Sequence, residues 1–446
     1  MAPISEDRSR ARALGLAMLT SLVVGNMIGS GVFLLPASLA PYGAVSLVGW
    51  LVTAVGSILL GLVFARLARR MPEAGGPYVY THAAFGEFAG FLVGWGYWIS
   101  CWSALAAIAV AMTGYLGALV PAVTATPGAA AAVAVTTIVM LTAVNIAGVR
   151  QAGVVQLVTT LLKILPLLAV AAFGLPRLEA ARFAPFNPSG EPLLGAVQAC
   201  IALTLWAFLG MEAATVPAED VRDPRRSIPR ATVIGVVVTA VLYVASTTAV
   251  MGVLPREELA LSGAPFAEAA RALWGPGAAA LIAAGAFISC FGALNGWILV
   301  VGQVPMAIAR RGMFPAFFAR LSPRGTPAVG LVLSAALACL LVVANFTKGL
   351  VAMFTAMILL STLASLIPFA FCAMAEALLA IRDRRTASRT ALRGGLAVAA
   401  LAFIYAMAAT AGAGRDTVYW GFLTLLCGIP FYVAMKWRGA GEPGGT

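Results

Sequence analysis

The chain has 446 residues, of which 61% are hydrophobic and only 10% are charged. A typical soluble domain has about 25% charged residues, so the composition excludes an ordinary cytosolic enzyme, a disordered chain and a nucleic-acid binder. It predicts an all-α polytopic membrane protein that lies in a lipid bilayer. The net charge of +12 comes from 29 Lys and Arg residues against 17 Asp and Glu residues. Basic cytoplasmic loops explain this charge without an anionic partner.

Twelve stretches are apolar and long enough to cross a bilayer, which takes about 20 mostly apolar residues. We number them as segments in chain order, with the limits 13–41, 43–68, 84–117, 127–147, 152–175, 193–216, 231–254, 274–309, 327–346, 350–381, 394–413 and 416–435. Segments one, three, eight and ten are long enough to tilt or to include interfacial turns. No linker separates two domains, so the sequence predicts one transmembrane domain, 13–438, between cytoplasmic tails at 1–12 and 439–446.

The basic residues predict the orientation of these segments. Twelve spans place both termini on one side of the membrane. If that side is the cytoplasm, the cytoplasmic loops and tails hold 22 of the 29 Lys and Arg residues, and the outer loops hold six. This asymmetry predicts that both termini are cytoplasmic. The first apolar segment follows no cleavable signal pattern, so we expect it to remain as a helix.

The sequence offers little equipment for catalysis or metal binding. The six cysteines form no CxxC pair, and the single histidine, His82, cannot build a metal cluster alone. We therefore expect no metal, no cofactor and no catalytic residue. A membrane enzyme would need His, Asp or Glu pairs near an interface, and a channel would need rings of polar residues on several helices.

Polar and small residues instead concentrate at two interruptions, in segments one and six. Segment one contains Asn26-Met27-Ile28-Gly29-Ser30-Gly31 before a proline, and segment six contains Phe208-Leu209-Gly210-Met211-Glu212 before another. Glycine weakens a helix interior by about 1 kcal/mol relative to alanine. One interpretation is close packing of helices. The other is unwinding, which frees N–H groups for a carboxylate and C=O groups for an ammonium, as a transporter of amino acids requires.

Several motifs resemble one transporter superfamily in order and spacing over nearly the whole chain. They are GNMIGSGVFLLP (25–36), GGPYVYTHAAFG (75–86), YWISCW (97–102), TLWAFLGMEAATV (204–216), EDVRDPRRSIPRATVIG (219–235), GALNGW (292–297) and RGTPAVGL (324–331). The sequence resembles the amino acid–polyamine–organocation transporters, and among them the bacterial basic amino acid/polyamine antiporters of the arginine/agmatine type. The resemblance implies a LeuT-like fold of five plus five inverted helices with two added helices, alternating access, a bacterial-type cytoplasmic membrane and a homodimer.

The resemblance also implies a substrate site, position by position. It implies that backbone N–H groups of Ser30 and Gly31 bind the substrate carboxylate. The residues whose carbonyls receive the α-ammonium are Met27, Trp206 and Leu209. Trp206 would also cover the site from outside, and Trp297 would form its floor and stack on a cationic side chain. The side-chain end would be lined by Ser100, Cys101 and Ser361, and a gate beside Trp297 would consist of Tyr97, Glu212 and Phe369.

Three positions depart from the antiporter pattern. Phe369 stands where the antiporters have Tyr, so a hydrogen bond of the gate is missing. Leu105 stands where the arginine/agmatine antiporter has an Asn that bonds the guanidinium. Since an unpaired buried donor costs about 1–3 kcal/mol, Leu105 favours a less polar substrate side chain. Lys163 stands where the antiporters have a small apolar residue.

Lys163 and Glu212 are ionisable residues near mid-span, where a charge costs at least about 2.5–3.5 kcal/mol on insertion scales. The sequence around Lys163 resembles proton-coupled amino acid transporters of the same superfamily, in which a lysine takes the place of a sodium ion. Lys163 is then a proton-exchanging group, a permanent structural cation that supports the broken helix, or an unrelated lysine facing lipid. Glu212 is either a gate or proton site, or a buried neutral carboxyl.

Two transport functions therefore compete. One is antiport of a cationic amino acid for a related amine, of the arginine/agmatine or ornithine/polyamine type, which Trp297 and Ser361 favour. The other is exchange of neutral amino acids, or their proton-coupled symport through Lys163, which Leu105 and Lys163 favour. The overall resemblance favours the first.

Overall fold

The computed structural model describes residues 15–71, 76–148, 152–212, 221, 223–384 and 388–440. The two expected tails, 1–12 and 439–446, lie outside these residues except for 439–440, as does the end of segment six. The first helices of the described chain are α1 (Leu16–Met27), α2 (Gly31–Leu39), α3 (Val45–Arg70), α4 (Pro77–Phe85), α5 (Glu87–Leu119), α6 (Pro127–Ala147), α7 (Ala152–Gly174) and α8 (Leu193–Leu205). The remaining helices are α9 (Pro224–Val253), α10 (Arg256–Leu261), α11 (Pro265–Trp274), α12 (Pro276–Arg310), α13 (Ala328–Ala344), α14 (Leu350–Arg382), α15 (Arg389–Gly412), α16 (Arg415–Leu426) and α17 (Gly428–Ala440). Short 3-10 helices occur at Ala40–Tyr42, Pro121–Thr124, Leu175–Arg177, Ala180–Phe183, Trp206–Phe208 and Ala316–Ala319.

The chain is an all-helical, multi-pass membrane protein. Within the described residues, eight helical spans are long and apolar enough to cross a membrane, and the bent pair formed by α1 and α2 makes a ninth. Two further apolar helices, Leu193–Phe208 and Ala328–Ala344, are shorter. Each of the twelve apolar segments coincides with a helix in position, including segment five with α7.

Several helix boundaries differ from the expected limits, and local backbone chemistry explains the differences. Segment three begins at Glu87 because Gly86, with φ +89°, ends α4 just before it. Segment eleven begins earlier than expected, because the hydroxyl of Ser388 accepts a hydrogen bond from Ala391 N at 3.2 Å and caps α15. Such a cap satisfies one of the free N–H groups of the first turn. Segment twelve is divided at Cys427 into α16 and α17.

Two groups of helices meet around the site. Helix α5 is the most deeply buried span and packs mainly against α12 and α14, while α3 packs mainly against α8 and α9. Helix α1 packs against α9, and α2 contacts both groups. The bend between α1 and α2 and the end of α8 therefore lie between a group centred on α5 and a group centred on α3.

Candidate functional site: two helix breaks around a buried cavity

The predicted interruption of segment one is confirmed as a break between α1 and α2, whose axes differ by 45°. In a continuous helix the N–H of Gly29 would bond the carbonyl of Gly25. Instead it donates to the carbonyl of Met27 at 2.9 Å. Helix α2 then starts at Gly31. The break thus frees the Gly25 carbonyl for a donor outside the helix.

The freed carbonyl lies beside Lys163. Lys163 belongs to α7, is only 2% exposed, and its Nζ donates to the Gly25 carbonyl oxygen at 3.5 Å. A buried ammonium needs such an acceptor, because an uncompensated charge in a low-dielectric interior is costly. The structure therefore places Lys163 behind the first break, in contact with α1.

The second break follows α8. The chain passes through the 3-10 turn Trp206–Phe208 into an extended Leu209, and then Gly210 adopts φ +101°. That conformation favours glycine. A Cβ on Gly210 would also lie 3.2 Å from the backbone of Asn26 in α1. The two breaks are therefore in direct contact, and glycine is the residue that permits both the backbone turn and the close approach.

Glu212 is the last described residue of the second break. Its Oε2 accepts a hydrogen bond from the N–H of Gly210 at 3.1 Å, and its Oε1 accepts one from the hydroxyl of Tyr97 at 3.2 Å. The first bond uses an amide that the break releases from the helix. The second links the break to α5. The carboxylate thus ties the break to the opposite group of helices.

Sequence reasoning missed Tyr243, which joins the two breaks. Its hydroxyl donates to the carbonyl of Met27 at 2.7 Å and lies 3.3 Å from the carbonyl oxygen of Ala207. The side chain is fully buried in α9, and its ring packs on Trp50 and Phe208. The only sequence signal was a phenol in an otherwise apolar stretch of segment seven, and that signal does not identify its partners.

A buried cavity of about 30 Å³ lies where the breaks meet α5, α12 and α14. The predicted residues on its wall are Met27, Ser30, Gly31, Tyr97, Ser100, Cys101, Trp206, Leu209, Glu212 and Trp297. Sequence reasoning missed other wall residues, namely Asn26, Gly29, Ala104, Ile108, Ala207 and Ser365. Glu212 is the one acidic side chain of this wall, and no wall residue described by the structure is basic.

The indole of Trp206 fills space next to the first break. A Cβ on Gly31 would lie 2.9 Å from the indole nitrogen, so glycine at this position is what lets the ring approach. The indole N–H of Trp206 and the hydroxyl of Ser30 are both buried, and neither has a hydrogen-bond partner in the described structure. Buried donors are normally paired. Two unpaired donors on one cavity wall therefore form an end of the cavity suited to an anionic group.

Three predicted site residues are buried but do not reach the wall. The wall face of α5 carries Tyr97, Cys101, Ala104 and Ile108, whose spacing follows the helical repeat, so Leu105 is displaced from that face. Ala104 and Ile108 line this cavity and Leu105 does not, and the expected contact of Leu105 with a substrate side chain stays a prediction.

Ser361 and Phe369 of α14 are the other two predicted site residues that do not line the cavity. Ser361 lies behind the wall and donates to the backbone carbonyl of Ser100 at 2.9 Å. Phe369 packs edge-on against Phe64 of α3, with ring centroids 5.2 Å apart. Neither residue lines this cavity. The expected roles of Ser361 at the side-chain end of the substrate and of Phe369 in the gate stay predictions.

A cluster of three serines lies between α5 and α14. The hydroxyl oxygen of Ser100 is 2.5 Å from that of Ser365 and 3.2 Å from that of Ser361. All three side chains are buried. In the described part of the chain, no group of three or more His, Cys, Asp or Glu side chains could hold a metal ion. The chemistry of the cavity is thus hydroxyl, indole, carboxylate and free backbone.

Membrane-length helices surrounding two touching helix breaks and a buried polar cavity define a membrane transporter with an internal substrate site. Residues 14–435 match the amino acid permease family, and the chain belongs to it. Its function is therefore transport of amino acids and related solutes across a membrane, and it is not an enzyme.

Relatives cover almost the whole chain. The putrescine transporter PotE of Haemophilus influenzae is 31% identical, over 96% of this chain and 98% of that protein. A putative arginine/ornithine antiporter of Bacillus subtilis is 32% identical, over 94% and 96% respectively. The cadaverine/lysine antiporter of Escherichia coli is 34% identical over 73% of each chain.

Proposed function

We propose that this protein is an antiporter that exchanges a cationic amino acid for a related amine, of the arginine/agmatine or ornithine/polyamine type, by alternating access. The observation that carries the proposal is the carboxylate of Glu212 on a cavity wall whose described residues include no other acidic side chain and no basic one, with Trp297 on the same wall. A cationic substrate would neutralise the carboxylate and stack on the indole. The names of the relatives, which include putrescine, ornithine, lysine and cadaverine, support the same class.

The substrate would be bound by its charged ends. We infer that its carboxylate binds at Ser30, Gly31 and the indole N–H of Trp206, where unpaired donors meet the start of α2. The α-ammonium would bind carbonyls of Met27, Trp206 and Leu209. The carbonyl of Met27 already accepts hydrogen bonds from Tyr243 and from the N–H of Gly29, so the ammonium would displace one of these two donors.

The cavity volume implies that part of the wall moves. A cavity of about 30 Å³ has room for only a few water molecules, so we infer that a bound amino acid needs the space now filled by Trp206. We propose that this indole swings away on binding and then covers the substrate from outside. Tyr97, Glu212 and Phe369 would form the gate beside Trp297.

For the whole chain we propose twelve spans in a LeuT-like arrangement of five plus five inverted helices with two added helices. In this arrangement α1 with α2, and α8 with the residues that follow it, are the corresponding broken helices. Both termini would be cytoplasmic, the membrane would be a bacterial cytoplasmic membrane, and a homodimer is the expected assembly.

An alternative function is exchange or proton-coupled symport of neutral amino acids. The contact of Lys163 with the Gly25 carbonyl favours it, because an ammonium bound to the first break could couple its proton to movement of that break. The same contact also suits a permanent structural cation. The two readings differ in whether transport depends on pH through Lys163.

Exchange in proteoliposomes tests the proposal. Vesicles loaded with agmatine, putrescine, cadaverine or alanine are mixed with labelled arginine, ornithine or alanine. We expect entry of a labelled cationic amino acid only with an internal amine, and loss of that entry in Trp297→Leu. Trp98→Phe is a matched control, because Trp98 is buried but bonds Ser334 away from the cavity. Entry of alanine alone, stimulated by acid, would replace the proposal with the neutral alternative.

A further inference from the structure

The serine cluster between α5 and α14 has a defined direction of hydrogen bonding. Ser361 donates its proton to the backbone carbonyl of Ser100, so its oxygen has lone pairs to offer. The Ser100 hydroxyl can then donate to Ser361 at 3.2 Å, and Ser365 can donate to Ser100 at 2.5 Å. In this arrangement all three contacts of the cluster are hydrogen bonds, and each of the three hydroxyl protons is donated to another atom of the protein.

The direction of this relay determines what the cavity wall offers. Ser365 and Ser100 lie on the wall, whereas Ser361 lies behind it. With its proton committed to Ser100, the Ser365 oxygen presents only lone pairs to the cavity. Hydrogen bonds in such a chain polarise one another, which strengthens the terminal acceptor. The serine cluster is therefore an acceptor site for a donor group of the substrate.

This acceptor lies in the same cavity as Glu212 but differs from a guanidinium site. A guanidinium presents five donors in a rigid planar fork and is best bound by a free carboxylate edge. Both oxygens of Glu212 already accept hydrogen bonds, from Gly210 and Tyr97. A primary ammonium is a compact charge with three donors that rotate freely, so it can use separate acceptors such as the Ser365 oxygen and a carboxylate oxygen.

We propose that Ser365, oriented by Ser100 and Ser361, is a specificity-determining residue that selects substrates ending in a primary ammonium over substrates ending in a guanidinium. The inference rests on the proposed function, namely that the cavity takes cationic amino acids and amines. It narrows that class to diamines and to amino acids with an amino group at the end of the side chain.

Competition in proteoliposomes tests this selection. Uptake of a labelled cationic amino acid is inhibited by ornithine, lysine, putrescine and cadaverine in one series, and by arginine and agmatine in the other. The wild-type protein is expected to be inhibited at lower concentrations by the first series. Ser365→Ala should raise the half-inhibitory concentrations of the first series about tenfold, the cost of one lost bond to a charged group, and leave the second series unchanged.

Thr113→Val is the control on the same helix. Thr113 is a buried residue of α5, and its hydroxyl bonds the carbonyl of Ala109 at 2.9 Å within its own helix. The control should leave both series unchanged. An equal loss for both series in Ser365→Ala, or no loss in either, would overturn the specificity role.

The comparison of the two inhibitor series on the wild-type protein tests the selection even if a variant does not fold. Exchange of arginine and agmatine without preference for primary amines would overturn this inference and leave the proposed antiport intact. Failure of every cationic substrate to exchange would overturn the proposed function, and the inference with it.

Discussion

Removal of one hydroxyl, in Tyr243→Phe, separates the two helix breaks chemically without changing the packing around them. The hydroxyl joins Met27 of the first break to Ala207 of the second, at 2.7 and 3.3 Å. Phenylalanine keeps the ring that packs on Trp50 and Phe208 at centroid distances of 5.3 and 5.6 Å. The variant therefore tests the hydrogen-bonded joint alone.

The contacts set the size of the effect. The carbonyl of Met27 keeps a second donor, the N–H of Gly29, whereas the carbonyl of Ala207 loses its weaker share of the single Tyr243 hydroxyl proton. A buried group left unpaired costs about 1–3 kcal/mol. The free energy contributed by a side-chain hydrogen bond between membrane helices is lower, about 0.6 kcal/mol on average with a maximum near 1.7 kcal/mol. We therefore expect a loss of about 1–2 kcal/mol in the free energy of unfolding.

Thermal unfolding in detergent and exchange in proteoliposomes measure this loss. For a chain of this size, each kcal/mol corresponds to a fall of about 2–4 °C in Tm, or less. Exchange should also slow, because the hydrogen bonds that hold the two helix breaks together are lost. Ser246→Ala is the control on the same helix, since its hydroxyl bonds the carbonyl of Tyr243 locally. A Tm and an exchange rate equal to those of the control would refute the joint between the breaks.

Three further changes probe other contacts. Gly210→Ala should lower stability by about 1–3 kcal/mol, because it forces a side chain into a φ of +101° and against the first break; thermal unfolding measures this. Lys163→Ala should abolish any pH dependence of uptake if its proton is exchanged, and should only lower stability if it is a fixed cation. Burial raises the pKa of Glu268 above its ordinary value, against the opposing effects of a hydrogen bond from Ser262 and the charge of Arg271. Its ionised form thus costs stability, so Glu268→Gln should raise Tm at neutral pH, and the gain should vanish as the pH falls through that raised pKa.

Each of these changes has a control within the chain. Gly296→Ala should be harmless, because a Cβ there meets no atom within 4 Å, and equal losses at both glycines would show that the close approach at the second break is unimportant. Lys163→Met fills the side-chain space without the charge, so a pH dependence that survives in it would exclude the proton role. Asp416→Asn changes an exposed carboxylate on another helix, and the same gain there would show a general charge effect.

The sequence predicted the breaks because they violate local rules. Gly29, Ser30 and Gly31 in a row, and Gly210 before Glu212, are poor helix formers in a region that must otherwise stay helical in lipid. The limits of most spans followed from hydropathy alone. The boundaries that shifted depend on single caps, such as Ser388, whose effect requires the geometry of the first turn.

The wall positions were harder to predict because they depend on helix rotation. Leu105 and Ala104 are neighbours in sequence, yet only Ala104 faces the cavity, since consecutive residues on a helix point about 100° apart. A resemblance carried over by position does not fix the rotation of α5 against α14. Ser365 lies one helical turn beyond Ser361 on the same face of α14, so the two differ in their position along the helix axis, and only Ser365 lies on the wall.

Residues that obey local rules and act through distant partners leave no local signal. Tyr243 fits its helix, and its importance comes from two carbonyls that lie 216 and 36 residues away along the chain. Those carbonyls need a donor only because both helices are broken. A sequence that shows two breaks at membrane depth therefore also predicts that buried donors must exist elsewhere to pair with them. Tyr243 and Lys163 meet that requirement from α9 and α7, one at each side of the first break, so the elements that support the breaks are a consequence of the same physics that makes the breaks useful for transport.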